Sequence, residues 1–131
     1  PDQLAGAAGA SARRLGATEA VVYLADYEQL LLLPLQGAGV PPRQELTVDG
    51  SVAGLAFRRM QVTHSPTHHG GTRAWLPLLD GVERLGVMEF VAPEMTERLE
   101  DEARALVSLV AELLVSSNAY SDLFARVRRR K

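Results

Sequence analysis

The side chains best suited to chemistry in this chain are three histidines, His64, His68 and His69. Neutral imidazole is the commonest protein ligand of metal ions, and one histidine can hold a haem iron. The spacing is poor for a metal site, because adjacent residues rarely converge on one ion and residues 65–72 contain no carboxylate. We therefore predict exposed loop histidines and no bound cofactor; a haem contact or a structural zinc site are the alternatives.

Cysteine is absent from the sequence. Its absence excludes disulfides, thiolate zinc sites, iron–sulfur clusters and a cysteine nucleophile. No general acid and base pair and no Ser-His-Asp ordering stands out, because Asp80 and Glu83 occupy positions expected of a turn. We predict that the chain has no catalytic residue and is not an enzyme by itself.

Length, composition and charge indicate the number of domains, the compartment and the partners that are excluded. A chain of 131 residues with 47% hydrophobic content fits one globular domain. No apolar run approaches the roughly 20 residues that span a bilayer, and no signal-peptide pattern is present, so we expect a cytoplasmic protein without a membrane partner. The formal charge of −2 includes five basic residues in positions 126–131, which leaves an acidic body and argues against a nucleic-acid partner.

Apolar periodicity and turn residues predict three helices and six strands. Asp49 and Thr96 are the predicted N-caps of the second and third helices. An Asp80-Gly81 pair marks a hairpin turn. The predicted helices cover residues 3–15, 51–60 and 97–131, and the predicted strands cover residues 19–25, 29–35, 44–48, 61–64, 73–79 and 84–91.

The last helix carries apolar residues at alternating steps of four and three. We expect its first half to pack on the domain's own sheet and its second half to pair with the same helix of another copy, giving a homodimer. A helix that covers only its own sheet is the alternative. The seam begins at Leu99 and Ala103, and its proposed dimer and signalling residues are Leu106, Val110, Leu113, Ser117, Tyr120, Phe124 and Val127.

Two segments give the chain a resemblance to a known family. Residues 49–57, with the sequence DGSVAGLAF, resemble the Gly-x-x-Gly-x-Ala helix of GAF domains. Residues 76–78 and 85–90 resemble the paired closing strands of that family, and the similarity covers about residues 3–115. The resemblance implies an α+β, profilin-like fold, in which a six-stranded antiparallel sheet carries the N- and C-terminal helices on one face and a ligand pocket on the other.

The same resemblance implies a domain organisation. Residues 1–115 form a GAF-type sensory domain, and residues 116–131 form a connector helix that leads to a covalently linked output domain. The segments 119–122 and 128–131 are similar to the connector of actinobacterial proteins that join a GAF domain to a SpoIIE-like, metal-dependent serine/threonine phosphatase. A phosphatase is therefore the expected effector.

The resemblance also implies where a small molecule would bind. The family's pocket lies between the sheet and the segment that runs from the short helix to the following loop. For most of the candidate residues, ordinary core packing is the alternative. The candidate wall residues are Val52, Leu55, Phe57, Thr63, His64 and Trp75, with Glu89 as a polar group.

Several activities known in the family do not match this sequence. Reduction of free methionine sulfoxide and thioether attachment of a bilin both need cysteine. The Asn-Lys-x-Phe-Asp-Glu signature of cyclic-nucleotide GAF domains is absent. We therefore expect a regulatory module that senses a small molecule or dimerises and transmits its state through the last helix. The alternatives are a structural dimerisation domain with a filled pocket and the effector-binding domain of a transcriptional regulator.

Overall fold

A computed structural model describes residues 2–116, and it contains one six-stranded antiparallel sheet with helices on both faces. The strand order is β3-β2-β1-β6-β5-β4. This architecture confirms the predicted α+β class and the predicted sheet. The helices are α1 (Asp2–Leu15), α2 (Val52–Arg59) and α3 (Glu97–Ser116), and the strands are β1 (Glu19–Ala25), β2 (Leu31–Pro34), β3 (Leu46–Thr47), β4 (Thr63–Pro66), β5 (Thr72–Asp80) and β6 (Glu83–Ala92).

The central pair of strands, β1 and β6, is buried on both faces. Val22 lies opposite Met88, and both side chains belong to the core beneath α1 and α3. Tyr23 lies opposite Val87, and both belong to a second core beneath α2. Because successive side chains of a strand point to opposite faces, a strand covered on both sides is a continuous apolar run. Residues 20–25 follow this pattern, and all of them are buried.

Helix α1 contacts the sheet through small side chains. Its buried residues are Ala5, Ala8, Gly9 and Ala12, and β1 is the strand it contacts most. Small side chains allow a helix backbone to lie close to the layer beneath it. Helix α3 lies next to α1 over β5 and buries the larger residues Leu99, Val107, Val110 and Leu114 together with Ala103 and Ala111.

The N-cap of helix α2 lies two residues later than predicted. Ser51 is the N-cap, because its hydroxyl oxygen accepts a hydrogen bond of 2.9 Å from the Gly54 amide. The prediction of Asp49 as the cap was wrong: Gly50 adopts a φ of +83°, and the chain turns there before the helix begins. The Asp49 carboxylate instead pairs with the Arg58 guanidinium of the last helical turn.

The cap of α3 agrees with the sequence. The Thr96 hydroxyl accepts a hydrogen bond of 3.0 Å from the Leu99 amide, which confirms the predicted cap. Of the two short strands, β3 is shorter than predicted and lies within the predicted range, whereas β4 is shifted by two residues. After α2, Met60 adopts a left-handed φ of 56° and the Gln61 amide donates to the Ala56 carbonyl, so β4 begins only at Thr63.

We predict that replacing Gly54, where α2 meets the preceding turn, with any larger residue lowers the stability of the domain. A Cβ atom at this position would lie 1.7 Å from the Val48 carbonyl oxygen, which belongs to the backbone. We expect Gly54→Ala to lower the free energy of unfolding by about 3 kcal/mol, because helix and turn must separate. Urea denaturation followed by circular dichroism measures the loss. Gly70→Ala is the matched control: its site is open but has a φ of +84°, so about 1 kcal/mol is expected. Equal losses in both variants would contradict the close approach.

Candidate functional site

A cleft of about 570 Å³, lined by charged, polar and apolar residues, opens at the end of the sheet where β1 begins and β6 ends. Val91 lies opposite both Glu19 and Arg73, so these three side chains share one face of the sheet. It is the face covered by α2, because Trp75 follows Arg73 by two residues and belongs to the second core. The cleft is lined by Thr18, Glu19, Arg43, Thr67, His68, His69, Gly70, Gly71, Arg73, Val91, Ala92 and Pro93.

A buried carboxylate, Glu89, lies next to this cleft, and its side chain is only 2% exposed. The Tyr23 hydroxyl donates to Glu89 Oε1 at 3.2 Å, and Arg43 Nε donates to the same oxygen at 3.1 Å. Arg73 Nε lies 2.7 Å from Glu89 Oε2, an ion-pair contact without hydrogen-bond alignment. Arg43 also donates through Nη2 to Glu19 Oε1 at 2.7 Å. Two guanidinium groups are thus balanced by two carboxylates.

The protonation of this network follows from its contacts. Burial, and next the carboxylate of Glu89, raise the pKa of Tyr23, so its hydroxyl stays protonated and donates. Burial alone would lower the pKa of Arg43, but its hydrogen bonds and charge pairing with Glu19 and Glu89 raise it. A buried charge is costly unless it is paired and hydrogen-bonded. Each charged group at Glu89 has a partner of opposite sign, which meets this requirement.

The segment of residues 36–45 brings Arg43 to the network. It has neither helix nor strand, and it connects β2 to β3. One part of the segment is held on α1, because Arg13 Nη1 donates to the Gly39 carbonyl at 3.3 Å. The other part is held on the sheet through Arg43. The segment therefore links the first helix to the cleft.

The pocket predicted between α2 and the sheet is filled by side chains. Phe57 and Trp75 are buried there, and the rings of Trp75 and Tyr23 lie 5.7 Å apart between centroids. Val52 and Leu55 lie on the exposed side of α2, because the helix turns Ala53, Ala56 and Phe57 toward the sheet. Apolar side chains thus occupy the space in which a ligand pocket was predicted from the sequence.

Thr63 and His64 occupy opposite faces of β4. Thr63 lies opposite Trp75, on the α2 face, and its hydroxyl donates to the Val52 carbonyl at 3.3 Å. His64 lies opposite Ala74, on the α3 face, and its Nε2 is 2.6 Å from Glu100 Oε1. The prediction of His64 as a wall residue of that pocket was therefore wrong, because alternation along β4 turns it away. Burial alone would raise the pKa of Glu100, but the contacts with His64 and Arg104 lower it.

Comparison with solved structures assigns the fold. The structure is similar to the GAF domain/HD domain protein from Geobacter sulfurreducens, with a TM-score of 0.71, 16% identity and coverage of 86% of this chain and 90% of that one. It is also similar to the second GAF domain of DevS from Mycobacterium smegmatis, with a TM-score of 0.68, 20% identity and coverage of 98% of both chains. The fold is that of a GAF domain.

One neighbour with the GAF fold is an enzyme. A type II free methionine-R-sulfoxide reductase from Thermoplasma acidophilum has a TM-score of 0.71 at 12% identity, covering 86% of this chain and 90% of that one. A likeness at this identity concerns the fold alone, and the present chain has no cysteine. No protein-family model and no curated protein matches the sequence.

The remaining histidines of this GAF fold, His68 and His69, are exposed in the loop of residues 67–71 and line the cleft. Within residues 2–116, no group of three or more His, Cys, Asp or Glu side chains is arranged to hold a metal ion. Within the same residues, no helix is both long enough and apolar enough to cross a membrane.

The predicted dimer residues of α3 have different environments. Val110 is buried in the core of its own domain, Leu106 is half-buried, and Leu113 is 45% exposed. Leu109, one helical turn before Leu113, is 51% exposed. Ser117, Tyr120, Phe124 and Val127 lie outside the described residues.

The charged lining of the cleft has little signature in the sequence. Arg43 stands in a segment of glycines and prolines without periodicity, so nothing local indicates its partner. Arg73 is the second residue of a strand and resembles a solvent-exposed strand end. Glu89 was the one available signal, because a carboxylate in the middle of an apolar strand needs a buried cation as its partner.

We predict that Glu89→Gln destabilises the domain. The amide keeps the shape of the carboxylate but leaves Arg73 without an ionic partner among the described residues. Removing one partner of a fully buried ion pair costs about 3–5 kcal/mol; Arg43 and Arg73 are 22% and 29% exposed, so we expect about 2 kcal/mol. The midpoint of urea unfolding reports the loss. Glu94→Gln, on an exposed residue, is the control and is expected to change stability by less than about 0.5 kcal/mol. A Glu89→Gln loss as small as that of the control would show that the network does not support the fold.

Proposed function

We propose that this chain is a regulatory domain that binds a small molecule in the cleft beside Glu89 and transmits the bound state through α3. One observation carries the proposal. The cleft wall includes Val91, Ala92 and Pro93, which are the end of β6 and the start of its connection to α3. A molecule bound there contacts the segment that leads directly into the long helix.

A second route from the cleft leads to α1. Arg43 lines the cleft, and its segment is hydrogen-bonded to α1 through Arg13 and Gly39. Helices α1 and α3 contact each other on the opposite face of the sheet. A ligand shifts the helices only if it binds one arrangement more tightly than another. A ligand that draws Arg43 away from Glu19 supplies such a difference.

The transmitting helix is also the proposed dimer element. Leu109 and Leu113 form an exposed apolar flank on α3 while Val110 faces the domain's own core. Residues four apart on a helix are neighbours on one face, so this flank is suited to pair with a second copy. The serine/threonine phosphatase that the sequence indicates as effector stays a prediction, since the residues that carry it lie outside those described.

A structural role is the second candidate function. The filled space between α2 and the sheet, with Phe57, Trp75 and Tyr23 buried in it, favours a domain that sets the spacing of two helices without a ligand. Such a scaffold has no need of the cleft, so the two functions differ in what the cleft does.

Binding is tested by nuclear magnetic resonance on the ¹⁵N-labelled chain, titrated with cellular metabolites that include anions, cations and neutral molecules. We expect saturable shifts of the Thr18, Gly70 and Gly71 amides with at least one compound, accompanied by shifts in residues 97–99 at the start of α3. The second group of shifts is the sign of transmission. A cleft that responds to no compound would leave the scaffold as the function.

Dimerisation is tested by placing a charge on the α3 flank. We expect Leu113→Glu to weaken self-association by at least about tenfold in sedimentation equilibrium, because a carboxylate on an apolar helix seam must be desolvated or expelled. Val115→Glu is the matched control: Val115 is 43% exposed, but residues two apart on a helix are about 200° apart, so it lies across α3 from Leu113. Equal effects of the two changes, or a monomeric unmodified protein, would contradict this interface.

A further inference from the structure

We infer that the cleft receives an anionic group, the carboxylate or phosphate of a small organic acid, and that Arg73 is its principal binding residue. The inference rests on the proposed ligand-binding function and names the ligand class for it. Arg73, Arg43 and Glu19 carry the argument, because they are the charged residues with permanent charge that line the cleft.

Arg73 presents an unused side of its guanidinium group. Its Nε atom is buried against Glu89, at 2.7 Å from Oε2, yet its side chain is 29% exposed. The exposed part therefore belongs to its other atoms, and Arg73 lines the cleft. Among the described residues, the Nη atoms of Arg73 take part in no hydrogen bond or ion pair. A guanidinium donates in a planar fork that matches two oxygens of a carboxylate or phosphate.

Glu89 holds both arginines from the buried side. The Nε atoms of Arg43 and Arg73 both lie beside its carboxylate, at 3.1 Å from Oε1 and 2.7 Å from Oε2. Each guanidinium is thereby fixed before a ligand arrives. A preorganised binding group loses less conformational entropy on binding than a free side chain does. Glu89 is in this sense a positioning residue for the anion site.

The other charges disfavour a cationic ligand. The accessible carboxylate of the cleft, Glu19, is already bound by Arg43 Nη2 at 2.7 Å. An ammonium group entering the cleft would approach two guanidinium groups and compete with one of them for Glu19. A neutral ligand without strong acceptors would desolvate the Arg73 donors and leave them unpaired. An anion satisfies those donors.

The rest of the cleft indicates the kind of molecule. Val91, Ala92 and Pro93 form an apolar stretch of wall beside the two arginines. A volume of about 570 Å³ lies within the range of sites for small metabolites. The cleft therefore suits an organic acid with a short carbon skeleton, whose charged end binds Arg73 and whose carbon atoms contact the wall.

The test compares three four-carbon probes whose terminal groups are anionic, neutral and cationic, namely succinate, 1,4-butanediol and 1,4-diaminobutane, together with inorganic phosphate. Each is titrated to about 20 mM at constant ionic strength, and the Thr18, Gly70 and Gly71 amide resonances are followed. We expect saturable shifts from succinate or phosphate and none from the diol or the diamine. The tighter of the two anions identifies the group as carboxylate or phosphate.

Variants of the charged residues tie binding to Arg73. We expect Arg73→Gln to weaken anion binding at least about tenfold, and Arg73→Lys about three- to tenfold, because lysine keeps the charge but not the fork. Glu19→Gln is expected to strengthen binding about threefold, since it removes a competing carboxylate; a variant that merely folds poorly cannot bind more tightly. Arg59→Gln, on an exposed residue at the end of α2, loses the same charge away from the cleft and is expected to leave affinity within about twofold.

The outcomes separate this inference from the proposed function. Binding of the diol or the diamine with no response to either anion would overturn the anion class while leaving a small-molecule site. Anion binding that is equally weakened by Arg73→Gln and Arg59→Gln would be a general charge effect and would overturn the role of Arg73. No shift with either anion would overturn the inference, and the metabolite titration then decides whether the cleft binds anything.

Discussion

The burial of one carboxylate organises one face of this domain. Glu89 lies in the inner part of β6, a strand at the centre of the sheet, where an apolar residue would pack without needing a charged partner. Its charge requires compensation, which two arginines provide, and a tyrosine adds a hydrogen bond. One arginine comes from β5 and the other from a segment without regular structure. The conformation of that segment is therefore tied to an electrostatic requirement of the core.

Compensation of this kind seldom adds much net stability, because desolvation offsets the attraction between the charges. The gain is a single, defined position for the residue that supplies the compensating charge. An apolar residue at position 89 would pack against the second core without selecting a position for Arg43, whereas the carboxylate selects one. The segment of residues 36–45 contains two glycines and two prolines and forms neither a helix nor a strand. Val40 anchors the segment on the core, and the polar network fixes the position of Arg43 beyond it.

Much of the architecture was readable from the sequence, since it depends on local patterns. The long apolar runs of β1 and β6, the turn between β5 and β6 and the Thr96 cap each follow from neighbouring residues. The errors arose where a choice depends on distant parts of the chain. Alternation predicts that His64 and Thr63 point apart, but only the pairing of β4 with β5 determines which of them faces α2.

The same limit applies to the candidate wall residues on α2 and to the charged residues at the cleft. In α2, apolar residues occur on more than one side, and the side that meets the sheet is the one whose small residues, Ala53, Gly54 and Ala56, permit close approach. Val52 and Leu55 were therefore assigned to the wrong side of the helix as wall residues. The contact of Arg43 with Glu89 spans 46 positions and has no local signature. A carboxylate within an apolar strand indicates that a cation is required, but not which one.

The face of α1 has a consequence for how the helix layer can move. Alanine and glycine residues leave only shallow ridges on a helix, and interlocking ridges hold one packed layer in register with another. A helix that rests on such a smooth surface has neighbouring positions of similar energy along its own axis. Its register is therefore determined by contacts at its margins, such as that of Arg13 with Gly39, more than by its own packing. A shift of α1 along its axis therefore depends on the contact between Arg13 and Gly39, and Gly39 belongs to the segment of residues 36–45 that carries Arg43 to the cleft.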